Sequence, residues 1–83
     1  METENKWIKI TEYPHTGKTK GFDVINKSGG YPIASIVWYS SWRQYCLMMC
    51  DDMVFNSTCL DLINNFLKEL NTEHRKNWNQ KKD

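Results

Sequence analysis

Cys59-Leu60-Asp61-Leu62-Ile63-Asn64-Asn65-Phe66-Leu67-Lys68-Glu69-Leu70 decides the fold class: Cys59, Leu62, Ile63, Phe66 and Leu70 fall at i, i+3, i+4, i+7 and i+11, one stripe of an α-helix. Asn56, Ser57 and Thr58 are all able to cap its first amides, and Thr58-x-x-Asp61 brings a carboxylate toward the positive end of the dipole. The helix is therefore expected to begin near Ser57. Beyond Leu70 the stripe stops, and Glu73, His74, Arg75, Lys76, Trp78, Lys81 and Lys82 read as a polar tail that frays over 72–83.

Upstream the period is two. Trp7-Ile8-Lys9-Ile10-Thr11-Glu12 alternates in character with Ile8 and Ile10 on one face, and Lys20–Lys27 repeats the pattern around Phe22, Val24 and Ile25. Pro14 and Gly17 punctuate the link between them, which makes a hairpin. Ser28-Gly29-Gly30-Tyr31-Pro32 is a turn, since paired glycines favour positive φ and proline fixes the exit. Ile33–Tyr39 and Trp42–Met48 then form a second hairpin of β-branched and aromatic residues. The expected fold is α+β, a four-stranded antiparallel β-meander with one C-terminal α-helix packed on one face, in the order ββββα. The 83 residues make one domain, 1–83, with an ordered core over about 6–71.

A domain this small has a thin core, so self-association into a homo-oligomer is expected to add apolar contact. A hydrophobic fraction of 40% and a charged fraction of 25% describe a folded chain, and a net charge of +1 leaves no footprint for duplex nucleic acid. No apolar run approaches the ~20 residues of a membrane span and the first residues are polar, so the expected location is cytoplasmic. Cys46, Cys50 and Cys59 are expected as reduced, buried small hydrophobes, because Cys-x3-Cys lacks the usual zinc spacing and only His15 and His74 remain as further ligands.

The richest segment is Ile36-Val37-Trp38-Tyr39-Ser40-Ser41-Trp42-Arg43-Gln44-Tyr45. A two-residue turn at Ser40-Ser41 pairs Tyr39 with Trp42, Trp38 with Arg43 and Ile36 with Tyr45. One face then carries Ile36, Trp38, Arg43, Tyr45 and Leu47, the other Val37, Tyr39, Trp42 and Gln44. Two readings of the segment follow. Either Trp38, Tyr39, Trp42, Arg43, Gln44 and Tyr45 bind a ligand by stacking, charge and hydrogen bonds, or Trp38 and Tyr45 roof the core with Arg43 lying over Trp38 as a cation–π pair. On the opposite face Trp7, Tyr39 and Trp42 are expected to share one exposed aromatic patch suited to contact.

Catalysis is not expected. His15 and His74 read as solvated histidines without partners, Asp51-Asp52 marks a turn ahead of the helix, and Cys59 lies on the apolar stripe. No cofactor or metal motif is present in the sequence.

Lys6-Trp7-Ile8, Ile36-x-Trp38-Tyr39-x-x-Trp42-Arg43-Gln44-Tyr45 and Val54-Phe55-x-x-x-Cys59-Leu60 resemble a family of small uncharacterised proteins of bacteriophages and prophages. The likeness spans nearly the whole chain. Family members keep a proline shortly after the Trp-Arg-Gln-Tyr strand, where this chain has Met48-Met49, so the exit from that strand differs. The resemblance implies a short accessory gene acting inside a host bacterial cell, a setting in which such genes often block host defence.

In that setting the leading expectation is a binding protein that sequesters a nucleotide-like signalling ligand between protomers. A protein–protein inhibitor of a host defence protein, using the aromatic hairpin as its hot spot, is the second. A single-stranded nucleic-acid-binding module is the third, opposed by the near-neutral charge.

Overall fold

Alternation along the strands and the 3.6-residue stripe of the helix generate two apolar surfaces that have to meet. The computed structural model describes residues 2–14, 17 and 19–82, with side chains as far as residue 76. Its elements are β1 (Thr3–Glu4), β2 (Ile8–Glu12), β3 (Gly21–Asn26), β4 (Pro32–Tyr39), β5 (Gln44–Met49) and α1 (Ser57–Lys82). The strands form one antiparallel sheet in the order β1-β2-β3-β4-β5, a meander with α1 on one face.

The register stacks Ile10 on Val24, Val24 on Ala34, Phe22 on Ile36 and Ile36 on Leu47. That layer closes against Cys59, Ile63, Phe66 and Leu70, all buried, and Phe22 meets Phe66 edge to face at 5.0 Å. Where β3 pairs with β4 the register shifts between Val24 and Ile25, whose partners are Ala34 and Pro32. The extra residue is Ile33, and the bulge lets Ile33 and Ala34 both bury.

Two expectations change. The sheet has five strands, because the polar start also pairs: Asn5 turns the chain, its Oδ1 accepting the N–H groups of Trp7 and Ile8, and Glu4 forms an ion pair with Lys27. The following strand consequently starts at Ile8, with Trp7 in the turn. The helix also continues past Leu70 to Lys82, since its last turns close their own backbone bonds without needing an apolar stripe. At about 39 Å it outruns an eight-residue strand of about 27 Å, so its C-terminal turns extend past the sheet.

Asn56 is the cap, its Oδ1 accepting from Cys59 N–H at 2.8 Å, while Asp61 falls outside the first turn, which holds no acid. Asp51 and Asp52 do form the turn ahead of the helix, Asp52 with φ 61°. No helix among the described residues is long and apolar enough to cross a membrane.

Candidate functional site

The link between β4 and β5 sets the position of all six candidate residues. It is a four-residue turn, Ser40–Arg43, in place of a two-residue one: Trp42 N–H donates to Tyr39 C=O and Arg43 N–H to Ser40 C=O, both at 3.2 Å. Two-residue hairpins need positive φ in the turn, which serine supplies poorly; here Arg43 takes it instead, at φ 52°. The true pairs are Tyr39 with Gln44, Trp38 with Tyr45, Val37 with Cys46 and Ile36 with Leu47. Because the correction is a shift of two residues, parity is kept and the strand residues stay on their expected faces. Arg43 leaves the strand, so the place across from Trp38 belongs to Tyr45 and the Arg43–Trp38 pair does not form.

Trp38 and Tyr45 face the helix. Their rings meet edge to face at 5.4 Å, and His74 lies against both, 4.4 Å from Trp38 and 5.8 Å from Tyr45. His74 is thus half-buried between aromatics, not solvated as expected, because the helix runs on far enough to deliver it. His15 lies outside the described residues. Tyr45 is buried, its hydroxyl accepting from Lys20 N–H at 2.9 Å. Its main chain is held by Asn71, whose Oδ1 accepts from Tyr45 N–H at 2.7 Å and whose Nδ2 donates to Tyr45 C=O at 3.2 Å. Nothing in the sequence singled out Asn71; the only available signal was a side chain able to donate and accept at once, placed one residue past the apolar stripe.

Tyr39, Trp42, Arg43 and Gln44 form an exposed corner. Trp42 is 67% exposed and meets Tyr39 edge to face at 5.1 Å. Trp42 and Gln44 also open onto a shallow groove of about 370 Å3 between β5 and the helix residues Asn64, Leu67 and Lys68. Trp7 does not join this corner. Its carbonyl accepts from Lys27 N–H, beyond one end of β3, whereas Tyr39 lies two residues past the partner of Gly21 at the other end. The two sites are roughly 25 Å apart along the sheet. Trp7, with Lys6 5.6 Å above its ring, lines a separate hollow of about 500 Å3 with Lys27, Ser28, Val54 and Asn56.

Cys59 is buried as expected and Cys46 partly so, but Cys50 is exposed, because it follows the last residue of β5 into the turn. All three are free thiols. Among the described residues no three His, Cys, Asp or Glu side chains cluster as metal ligands would.

The chain is similar to the uncharacterised 9.3 kDa protein of Acholeplasma phage L2, 27% identical over 75 residues that cover 82% of this chain and 96% of that protein. The likeness supports a family of small uncharacterised phage proteins. No family model matches the sequence. No solved structure matches it.

Proposed function

We propose that this is a phage-type accessory protein that acts by binding another protein, with the Tyr39–Gln44 corner as its anchor. The observation that carries the reading is the exposure of Trp42 next to Arg43 on the β4–β5 turn. Trp, Tyr and Arg are the residues that dominate binding hot spots, where they act by filling pockets of the partner, and exposed side chains on a turn are free to do so. Trp38 and Tyr45 serve as its foundation: packed under the helix and tied to His74 and Asn71, they fix the strand ends between which the turn is strung.

The phage likeness supports a target inside an infected bacterium, where occupying the surface of a defence protein is a task within reach of a chain this small. Once a partner has been captured, Trp42→Ala should weaken the complex by about 2 kcal/mol or more, roughly 30-fold. Binding unchanged by Trp42→Ala and Arg43→Ala together, in a variant that keeps its circular dichroism spectrum, removes the corner as the anchor.

The groove beside Trp42 favours a second reading, capture of a nucleotide-like small molecule. Its volume lies near the low end of small-molecule sites, and Gln44 and Lys68 offer a hydrogen-bonding amide and a cation. A melting-temperature rise with one class of nucleotide, lost in Trp42→Ala, distinguishes that reading from protein docking.

A further inference from the structure

The two edges of the sheet are built differently. β1 is two residues long and its Glu4 is ion-paired to Lys27, devices that discourage further pairing. β5 is six residues, Gln-Tyr-Cys-Leu-Met-Met, without a charge or a proline, and among the described residues no strand lies beyond it. Met48 and Met49 are 52% and 55% exposed, and Cys50 is exposed with them. An uncharged edge of this length is a template for strand addition. We propose that β5 pairs antiparallel with β5 of a second copy of this chain across a two-fold axis at Met48, joining two sheets into one.

The register follows from the hydrogen bonds. Cys50 N–H donates inward to Ile33 C=O, while the N–H and C=O of Tyr45 point outward to Asn71. Antiparallel alternation then turns the main-chain groups of Leu47 and Met49 outward as well. Asn71 occupies those of Tyr45, so an added strand finds Leu47 and Met49 available and is stopped at Tyr45. An axis at Met48 matches Leu47 of each copy with Met49 of the other, which yields about four hydrogen bonds. An axis at Leu47 would spend its second rung on the blocked Tyr45, and an axis at Met49 would run it into the turn at Asp51.

Charge complementarity identifies the occupant as a second copy. In this register the acidic Asp51-Asp52 turn of one copy, which follows its Cys50, lies toward the Arg43 turn of the other, which precedes its Gln44. This happens twice, once at each end of the seam, and no like charges meet between. On the open face Met48 packs on its own symmetry mate. Leu60, exposed on the helix, becomes available to the neighbouring helix.

The same register places Cys46 opposite Cys50 of the second copy in a non-hydrogen-bonded pair. Cα atoms in such pairs lie about 4.5 Å apart, inside the range of about 4.4–6.8 Å that a disulfide spans. Within one copy the two thiols are four residues apart on extended chain, roughly 13 Å, and cannot join. The native cysteines are therefore a ruler for the interface.

The proposal rests on the β5 edge and shares only the Arg43 turn with the docking reading, and its test substitutes no residue of the Tyr39–Gln44 corner. The full-length protein is treated with diamide, which takes up the two electrons and two protons released when two thiols join. The expected product is a covalent dimer whose proteolytic fragments contain Cys46 linked to Cys50. Cys46→Ser and Cys50→Ser should each abolish it and Cys59→Ser should not. In parallel, the reduced protein should sediment as a dimer and Met48→Lys, which sets two lysines on the axis, as a folded monomer. A monomeric wild type with no cross-link overturns the proposal, and so does a dimer linked mainly through Cys50 to Cys50.

Discussion

Asn71→Ala is the substitution that most sharply probes how the helix fixes the β4–β5 hairpin. The side chain makes two hydrogen bonds to one residue, accepting from Tyr45 N–H at 2.7 Å and donating to Tyr45 C=O at 3.2 Å. Each such bond contributes about 1 kcal/mol net, so the loss is expected near 2 kcal/mol, tempered by the access of water to the strand edge. For a domain of this length 1 kcal/mol moves the melting temperature by about 4–8 °C, which sets the expected fall at about 8–16 °C. The assay is a thermal melt followed by circular dichroism at matched protein concentration, with a urea titration to confirm an unchanged slope. Asn71→Asp keeps the acceptor and loses the donor, and should recover roughly half of the loss. A melting temperature within 2 °C of wild type for Asn71→Ala would refute the clamp, and with it the explanation of why pairing on β5 stops at Tyr45.

Three further outcomes are expected. Phe66→Ala removes the ring that meets Phe22 in the centre of the core and should cost about 3–5 kcal/mol, a large part of the stability of so small a domain, read as loss of a cooperative melt. Gly30 has φ 74° in the β3–β4 turn, so Gly30→Ala should cost about 1 kcal/mol in a urea titration although the added methyl meets nothing. The Lys27 ammonium holds the Glu4 carboxyl below its ordinary pKa of 4.5. The stabilisation from that pair is therefore present above the ordinary value and lost as pH falls through the lowered one; an NMR titration should find a depressed midpoint that returns to normal in Lys27→Met.

The class of the fold was legible because two periods, 2 and 3.6, occupy separate parts of the chain, and of the stripe, Cys59, Ile63, Phe66 and Leu70 are buried and Leu62 partly so. What escaped depends on main-chain geometry that side-chain character does not report. β1 pairs through backbone bonds over two polar residues, and the C-terminal turns of the helix satisfy themselves. The turn at Ser40–Arg43 was mis-sized because Arg43, a residue that seldom takes positive φ, supplies the left-handed step. At the candidate site parity survived the two-residue shift, so Trp38 and Tyr45 were placed on a common face, while their union with His74 and Asn71 depended on a helix longer than its apolar stripe. The separation of Trp7 from Trp42 was invisible for a related reason: alternation assigns a face, and only the strand order assigns an end.

The corner's role as a protein-docking anchor is tested most directly by native mass spectrometry of the chain purified gently from bacteria expressing it, set beside Trp42→Ala/Arg43→Ala prepared in the same way. The expected result is a second protein in fixed stoichiometry with the wild type and its absence from the variant. A second protein retained equally by both, or extra mass of only a few hundred daltons per chain, contradicts the docking reading, the latter in favour of a small ligand.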